Sequence, residues 1–294
     1  MHLAAVFPTT EIGPDAGAVR AWAQGAEDLG FDRIIAYDHV LGAVHEGREP
    51  ALWGPYTEHD PFHEPMVLFG YLAGVTRHVE LMTGVIILPQ RQVALLAKQA
   101  IEVDLLSGGR LVLGVGIGWN YVEYEALGTE YRNRATRFDE QITVLRALWD
   151  EHIVDFSGRY HRIDRAGLSY RPDRPLSLWF GGSAEASLRR AAAVGDGYQF
   201  GTAGPRIVTA HQRLRELLTE AGRDADAFPS GAILHTGKGF DTAVQDAADW
   251  RAAGGTHLAI STMANRMLGA VEAPFTTVDQ HLAVLEAVKV AITP

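Results

Sequence analysis

Hydrophobic positions along the chain fall into two alternating signatures. Short runs that are almost wholly apolar, as strands buried on both faces require, alternate with segments whose apolar residues recur every three or four positions, the period of an amphipathic helix. Eight such pairs run through the 294 residues. In the first half, residues 3–7 precede a helix with Val19, Trp22, Ala26 and Leu29 on one face, and 33–37 precede a helix over 65–76. Residues 79–88 precede one over 92–106, and 111–115 lead, after a loop, to a helix striped by Phe138, Ile142, Leu145 and Trp149. The second half repeats the rhythm. Residues 176–180 pair with a helix over 184–194, and 197–200 with the stripe Ile207, His211, Leu214 and Leu218. Residues 231–235 pair with a helix ending near 253, and 256–261 with the stripe Val278, Leu282, Leu285 and Ile292. Strict alternation implies a parallel sheet with helical crossovers, and eight units favour a closed (β/α)8 TIM barrel over an open sheet.

Three stretches exceed a minimal barrel and are expected as insertions after strand two, after strand four and before strand five. Residues 41–64 follow the end of strand two, are rich in Gly, Pro, His and aromatics (Trp53, Tyr56, Phe62), and lack a helical period. Leaving the C-terminal end of a strand, this loop is expected at the barrel mouth. Residues 153–175 precede strand five, and Phe156-Ser157-Gly158-Arg159-Tyr160 suits a hairpin around a glycine turn. The length, at first compatible with two domains, then accommodates one barrel domain over residues 1–294 with loops over its mouth.

Composition narrows the chemistry. With 47% hydrophobic and 21% charged residues the chain has the balance of a globular protein. Zero cysteines exclude disulfides, thiolate nucleophiles and iron–sulfur ligation by this chain. A net charge of −10, with only three lysines (Lys98, Lys238, Lys289) and arginines scattered, argues against a nucleic-acid partner. No segment approaches the ~20 apolar residues that span a bilayer. Residues 1–11 lack the basic start of a secretory signal, so a cytoplasmic location is expected.

At the C-terminal strand ends, where barrel chemistry resides, glycines and hydroxyls dominate. Such a mouth suits a flat, anionic, partly apolar ligand bound through backbone groups. Gly181-Gly182-Ser183 stands before a helix starting near Ala184 and could direct amides at a phosphate; the same residues also suit a plain helix start with Ser183 as N-cap. Gly114-Val115-Gly116-Ile117-Gly118 fails the dinucleotide fingerprint, because position 119 is Trp119 rather than glycine. Its glycines suit approach to a planar ring, or a tight turn into Trp119-Asn120. His39, beside Asp38, is the leading acid–base candidate, with the carboxylate expected to orient the ring; a hydrogen-bonded structural histidine is the alternative. His235 is a weaker candidate of the same kind. Schiff-base chemistry has only Lys238 near a strand end, no carboxylate pair suits a retaining glycosidase, and a metal set of His59, Asp60 and His63 would come from one loop.

Several stretches resemble the bacterial luciferase-like monooxygenase superfamily. They are 26–32 (AEDLGFD) leading to Asp38-His39, 97–99 and 104–111 (DLLSGGRL), 114–120 (GVGIGWN), and Gly181-Gly182-Ser183 followed by Gly195-Asp196-Gly197. The likeness covers nearly the whole chain and is greatest to the branch that uses coenzyme F420, a deazaflavin, in place of FMN. The resemblance implies a (β/α)8 barrel, commonly a homodimer, with the cofactor at the mouth and its phosphate on backbone amides near strand five and beyond. It implies a non-proline cis peptide in strand three, placed by motif match at Gly84-Val85. His39 matches the strand-two histidine that faces substrate and ring. The residues expected around the cofactor are Gly84, Val85, Gly116, Asn120, Gly181, Gly182, Ser183, Gly201 and Thr202, with no metal. The expected reaction is hydride transfer between reduced F420 and a small organic substrate. The alternatives are an FMN-dependent monooxygenase and a non-catalytic flavin-binding protein. Unlike the sugar-phosphate dehydrogenase branch, this chain has Trp119 where that branch carries a glutamate, and Arg206 is the nearest cation after strand six.

Overall fold

A computed structural model describes residues 1–171, 174–264 and 275–293. The first half contains β1 (His2–Val6), α1 (Ala16–Asp28), β2 (Arg33–Ala36), α2 (Pro65–Val75), β3 (Glu80–Thr83), β4 (Ile86–Ile87) and α3 (Val93–Ser107). β5 (Leu111–Gly116), α4 (Tyr121–Ala126) and α5 (Arg134–Asp150) follow, then the antiparallel pair β6 (Val154–Ser157) and β7 (Arg162–Ala166). The second half contains β8 (Ser177–Gly181), α6 (Glu185–Val194), β9 (Gly197–Phe200), α7 (Pro205–Glu220), β10 (Ser230–His235), α8 (Phe240–Ala252), β11 (His257–Ser261) and α9 (Val278–Ile292).

The parallel strands close on themselves. β1 pairs with β2 on one side and β11 on the other, the order continues through β10, β9, β8 and β5, and a β3–β5 pairing seals the ring. The result is the eight-stranded (β/α)8 barrel that the alternation implied. The strand expected over 79–88 is broken into β3, β4 and a 3-10 turn at Leu88–Gln90, and the Gly84-Val85 peptide inside the break is cis. The pair β6–β7 is the expected hairpin, and it precedes β8, away from the strand C-termini.

Side chains sort by parity along each strand, because successive residues of a strand face opposite ways. Ala4, Val6, Ile35, Met82, Val112, Trp179, Ile233 and Ala259 pack together as one cluster. Their neighbours Leu3, Ala5, Ile34, Leu81, Leu111, Leu113, Leu178, Phe180, Leu234 and Ile260 pack with the helices instead. The first set fills the barrel interior and the second seals the sheet to its helical coat. Continuing the interior parity by two residues reaches Tyr37, Gly181, His235 and Ser261 at the strand ends, and by four from Val112 reaches Gly116.

Candidate active site

Those strand ends surround a cavity of about 550 Å³ whose wall includes Tyr37, His39, Val85, Gly116, Gly181, Gly201 and His235. Val85 owes its place to the glycines around it. A Cβ on Gly116 would lie 2.7 Å from Val85 Cγ2, and one on Gly181 would lie 2.7 Å from Val85 Cγ1. Only hydrogen at both positions lets the Val85 side chain stand between β5 and β8.

Of the cofactor positions expected from the sequence, Gly84, Val85, Gly116, Gly181, Gly182, Ser183 and Gly201 line the cavity, as does His39. Asn120 and Thr202 do not. Asn120 is buried as the N-cap of α4, where its Oδ1 accepts the Val122 amide at 3.1 Å. Thr202 Oγ1 accepts a bond from Lys238 Nζ at 3.0 Å, so this hydroxyl ties the loop after β9 to the loop after β10. Lys238 thus supplies the cation that the strand-six loop itself lacks. Arg206, by contrast, is exposed on the first turn of α7.

Asp38 does not orient His39. Its carboxylate accepts the Ile87 amide at 2.9 Å and two bonds from Arg91, at 3.2 and 2.6 Å, and Arg91 reaches on to Glu64 at 2.7 Å. The partner of His39 is Glu123, a residue not singled out from sequence, whose Oε2 lies 3.3 Å from Nδ1. Glu123 Oε1 accepts the amides of Val40 and Leu41 at 2.7 and 3.1 Å. Burial pushes this carboxyl up, but the hydrogen bond and charge of His39 and the two amides outweigh it and hold its pKa below the ordinary carboxylate value. An ionised carboxylate is acceptor only, so Nδ1 carries the hydrogen and Nε2 is left to meet a ligand. Sequence offered one overlooked signal, the Asn120-x-x-Glu123 spacing of a helix start. Here the acidic residue turns from the helix to the loop after β2.

Ser183 is not the helix cap either. Ala184 occupies the N-cap of α6 and has no side-chain acceptor to offer. Of the first-turn amides, Ser187 bonds the Ala184 carbonyl at 2.8 Å, while those of Glu185 and Ala186 stay open to an anion, reinforced by the positive end of the helix. Arg190, also missed from sequence because its place depends on helix phase, lines the same end and pairs with Asp139.

His235 donates Nε2–H to the Gly201 carbonyl at 3.0 Å. Burial lowers its pKa to about 4, against a smaller raising effect of that carbonyl, so the ring is neutral near pH 7 and its buried Nδ1 has no partner. The loop histidines diverge. His63 Nε2 lies 3.3 Å from the Gly13 carbonyl, while exposed His59 pairs with Glu58. Among the described residues no three His, Asp or Glu side chains converge as metal ligands would. Nor, among the described residues, is any helix long and apolar enough to cross a membrane.

Known proteins place this geometry in context. An uncharacterized protein of Mycobacterium tuberculosis is 36% identical over 167 residues, 55% of this chain and 57% of that protein, so the alignment spans little more than half of either. The F420-dependent glucose-6-phosphate dehydrogenase of Nakamurella multipartita is 30% identical over 241 residues, 78% of this chain and 67% of the enzyme. The solved structure of an F420-dependent secondary alcohol dehydrogenase superposes with a TM-score of 0.78 at 18% identity, covering 100% of this chain and 99% of that one, which is a likeness of fold. Residues 1–283 match the luciferase-like monooxygenase family, and this chain is accordingly a member of that oxidoreductase family.

Proposed function

We propose that this enzyme moves a hydride between coenzyme F420 and a small organic substrate bound beside His39. The observation that carries the reading is His39, backed by Glu123, on the wall of a cavity that also presents glycine backbone, Val85 and aromatic rings. F420-dependent enzymes among the similar proteins support the choice of cofactor.

The cavity fits such a group. Val85, flanked by Gly116 and Gly181, offers an apolar shelf for a flat ring; Gly84 belongs to the same break in the strand. A Cβ on Gly201 would meet nothing within 4 Å, which leaves room there, and His235 Nδ1 awaits a donor. The amides that open α6, with Gly182, Ser183 and Arg190, would hold a phosphate. Reduced deazaflavin, when bound, supplies a hydride.

His39 Nε2 holds or delivers the proton at the substrate oxygen, and Glu123 keeps the ring in the required tautomer and orientation. Tyr56, Phe62 and Trp119, with ring centroids 5.2, 4.9 and 5.6 Å from that of His39, exclude water from it. Dry surroundings strengthen the electrostatic interactions of the pair.

The family's monooxygenase description supports a second reading, in which FMN binds and its reduced form reacts with oxygen. Titrating the purified protein with F420 and with FMN, then following each reduced complex by absorbance under air, tests both. Preferential F420 binding and an air-stable reduced spectrum are expected. Tight FMN binding with rapid reoxidation in air would favour the second reading.

A further inference from the structure

We infer that the compartment beside His39 takes an uncharged carbonyl compound bearing an apolar or aromatic group, and discriminates against anions such as sugar phosphates. The inference rests on the proposed reading of the cavity as shared by cofactor and substrate.

The walls at the His39 end are Tyr37, Pro55, Tyr56 and Trp119, none of them charged. Burial pushes the hydroxyls of Tyr37 and Tyr56 up from their ordinary values, so both stay neutral. Trp119 is seated firmly: a Cβ on Gly54 would lie 2.1 Å from its Cη2, so the loop backbone lies flush on the indole. The result is a fixed, flat, apolar wall.

The charged side chains on the cavity wall, among the described residues, are engaged elsewhere. Asp38 is occupied by Arg91, and Arg190 pairs with Asp139 and lies over the Phe138 ring at the α6 end. Behind His39 stands the ionised Glu123, so an anion arriving there would meet a pair with no net positive charge. Lys238 is turned to Thr202 and the Ala203 carbonyl and lies 4.0 Å from Asp246. An anion would therefore surrender its hydration without a matching cation, whereas a carbonyl oxygen needs one donor and its apolar remainder covers the aromatic walls.

In the reductive direction, a reduced deazaflavin held against Val85 would supply the hydride to the carbonyl carbon as the C=O π pair moves to oxygen, and would itself be left oxidised. The oxygen takes the Nε2 proton of the His39 imidazolium, whose Nδ1–H stays on Glu123, giving an alcohol. His39 is reprotonated from solvent.

Three probes test the class: cyclohexanone, its charged counterpart cyclohexanecarboxylate, and glucose 6-phosphate. Binding is followed by tryptophan fluorescence and thermal shift on the purified protein, alone and with F420 or FMN added. Cyclohexanone is expected to bind at least tenfold more tightly than either anion. Trp119→Arg should shift that ratio at least tenfold toward the carboxylate, while Trp119→Phe should preserve it. Equal or tighter binding of either anion, binding of none of the three, or a ratio indifferent to Trp119→Arg would overturn the inference. Failure to bind F420 with the preference intact would sink the cofactor reading alone, since the binding readouts need no turnover.

Discussion

The two ends of the barrel are built from opposite materials. Where the strands begin, charged groups close on one another and on the backbone. Arg33 pairs with Glu80 at 2.8 Å and lies 4.7 Å over the Trp179 ring. Arg110 donates to Thr76 Oγ1 and to the carbonyls of Val79, Ala73 and Thr76. Glu27 gathers the amides of Arg77, His78 and Val79. Where the strands end, glycines line a cavity, the first turn of α6 has no side-chain cap, and His235 keeps an unpartnered nitrogen. Satisfied polar groups hold the floor together, while open ones at the mouth await a ligand. Stability and binding are separated along the barrel axis.

Acid should strike this arrangement hardest, through the buried rings at both ends and furthest at the floor. Burial, Arg33 and His2 lower the pKa of His257 at the floor to about 3, whereas burial takes His235 at the mouth to about 4. Both rings ionise near pH ~6.5 once unfolded, so the unfolded chain binds protons first. Stability from these rings is full above about pH 6.5 and declines as pH falls toward 4. In a circular-dichroism acid titration, His257→Gln should lower the unfolding midpoint more than His235→Gln does. The reverse order would break the contrast between the ends.

At the mouth, His39→Ala should cost turnover by about 10²–10⁴-fold with cofactor affinity kept, as steady-state kinetics and a binding titration would report. Full turnover in this variant would remove His39 from the chemistry. At the floor, Arg110→Ala should lower unfolding stability in urea by about 2–3 kcal/mol, since it strips five acceptors at once, the Ser107 carbonyl included, while leaving cofactor affinity unchanged. The smallest effect expected is that of Gly116→Ala. Its new Cβ would press on Val85 Cγ2, and affinity for the cofactor should fall about tenfold, roughly 1.4 kcal/mol. A large loss of thermal stability there without loss of affinity would show that the mouth is a structural element after all.

The strands were legible as short apolar runs and the long helices by their repeated period, and His39 was legible because it stands just past the end of a strand, at the mouth. α4, only six residues long, is too short to show a period, and with it Glu123 passed unnoticed. Asn120 attracted attention as a polar residue at a strand end, yet its side chain serves the helix it caps. Asp38 seemed the natural partner of His39 by adjacency. Neighbouring residues on an extended chain point apart, however, and Arg91, 53 positions away, claims that carboxylate.

The sequence by itself determined the (β/α)8 alternation, the apolar stripes of the long helices, and the glycine-rich character of the mouth. All three depend on order and period along one strand or helix. Only the tertiary structure decided that Glu123 stands behind His39, that Lys238 serves the loop after β9, and that Trp119 lies flat under Gly54. Each of these joins loops from different βα units, and the contacts between such loops are set by closure of the barrel rather than by any pattern within a segment.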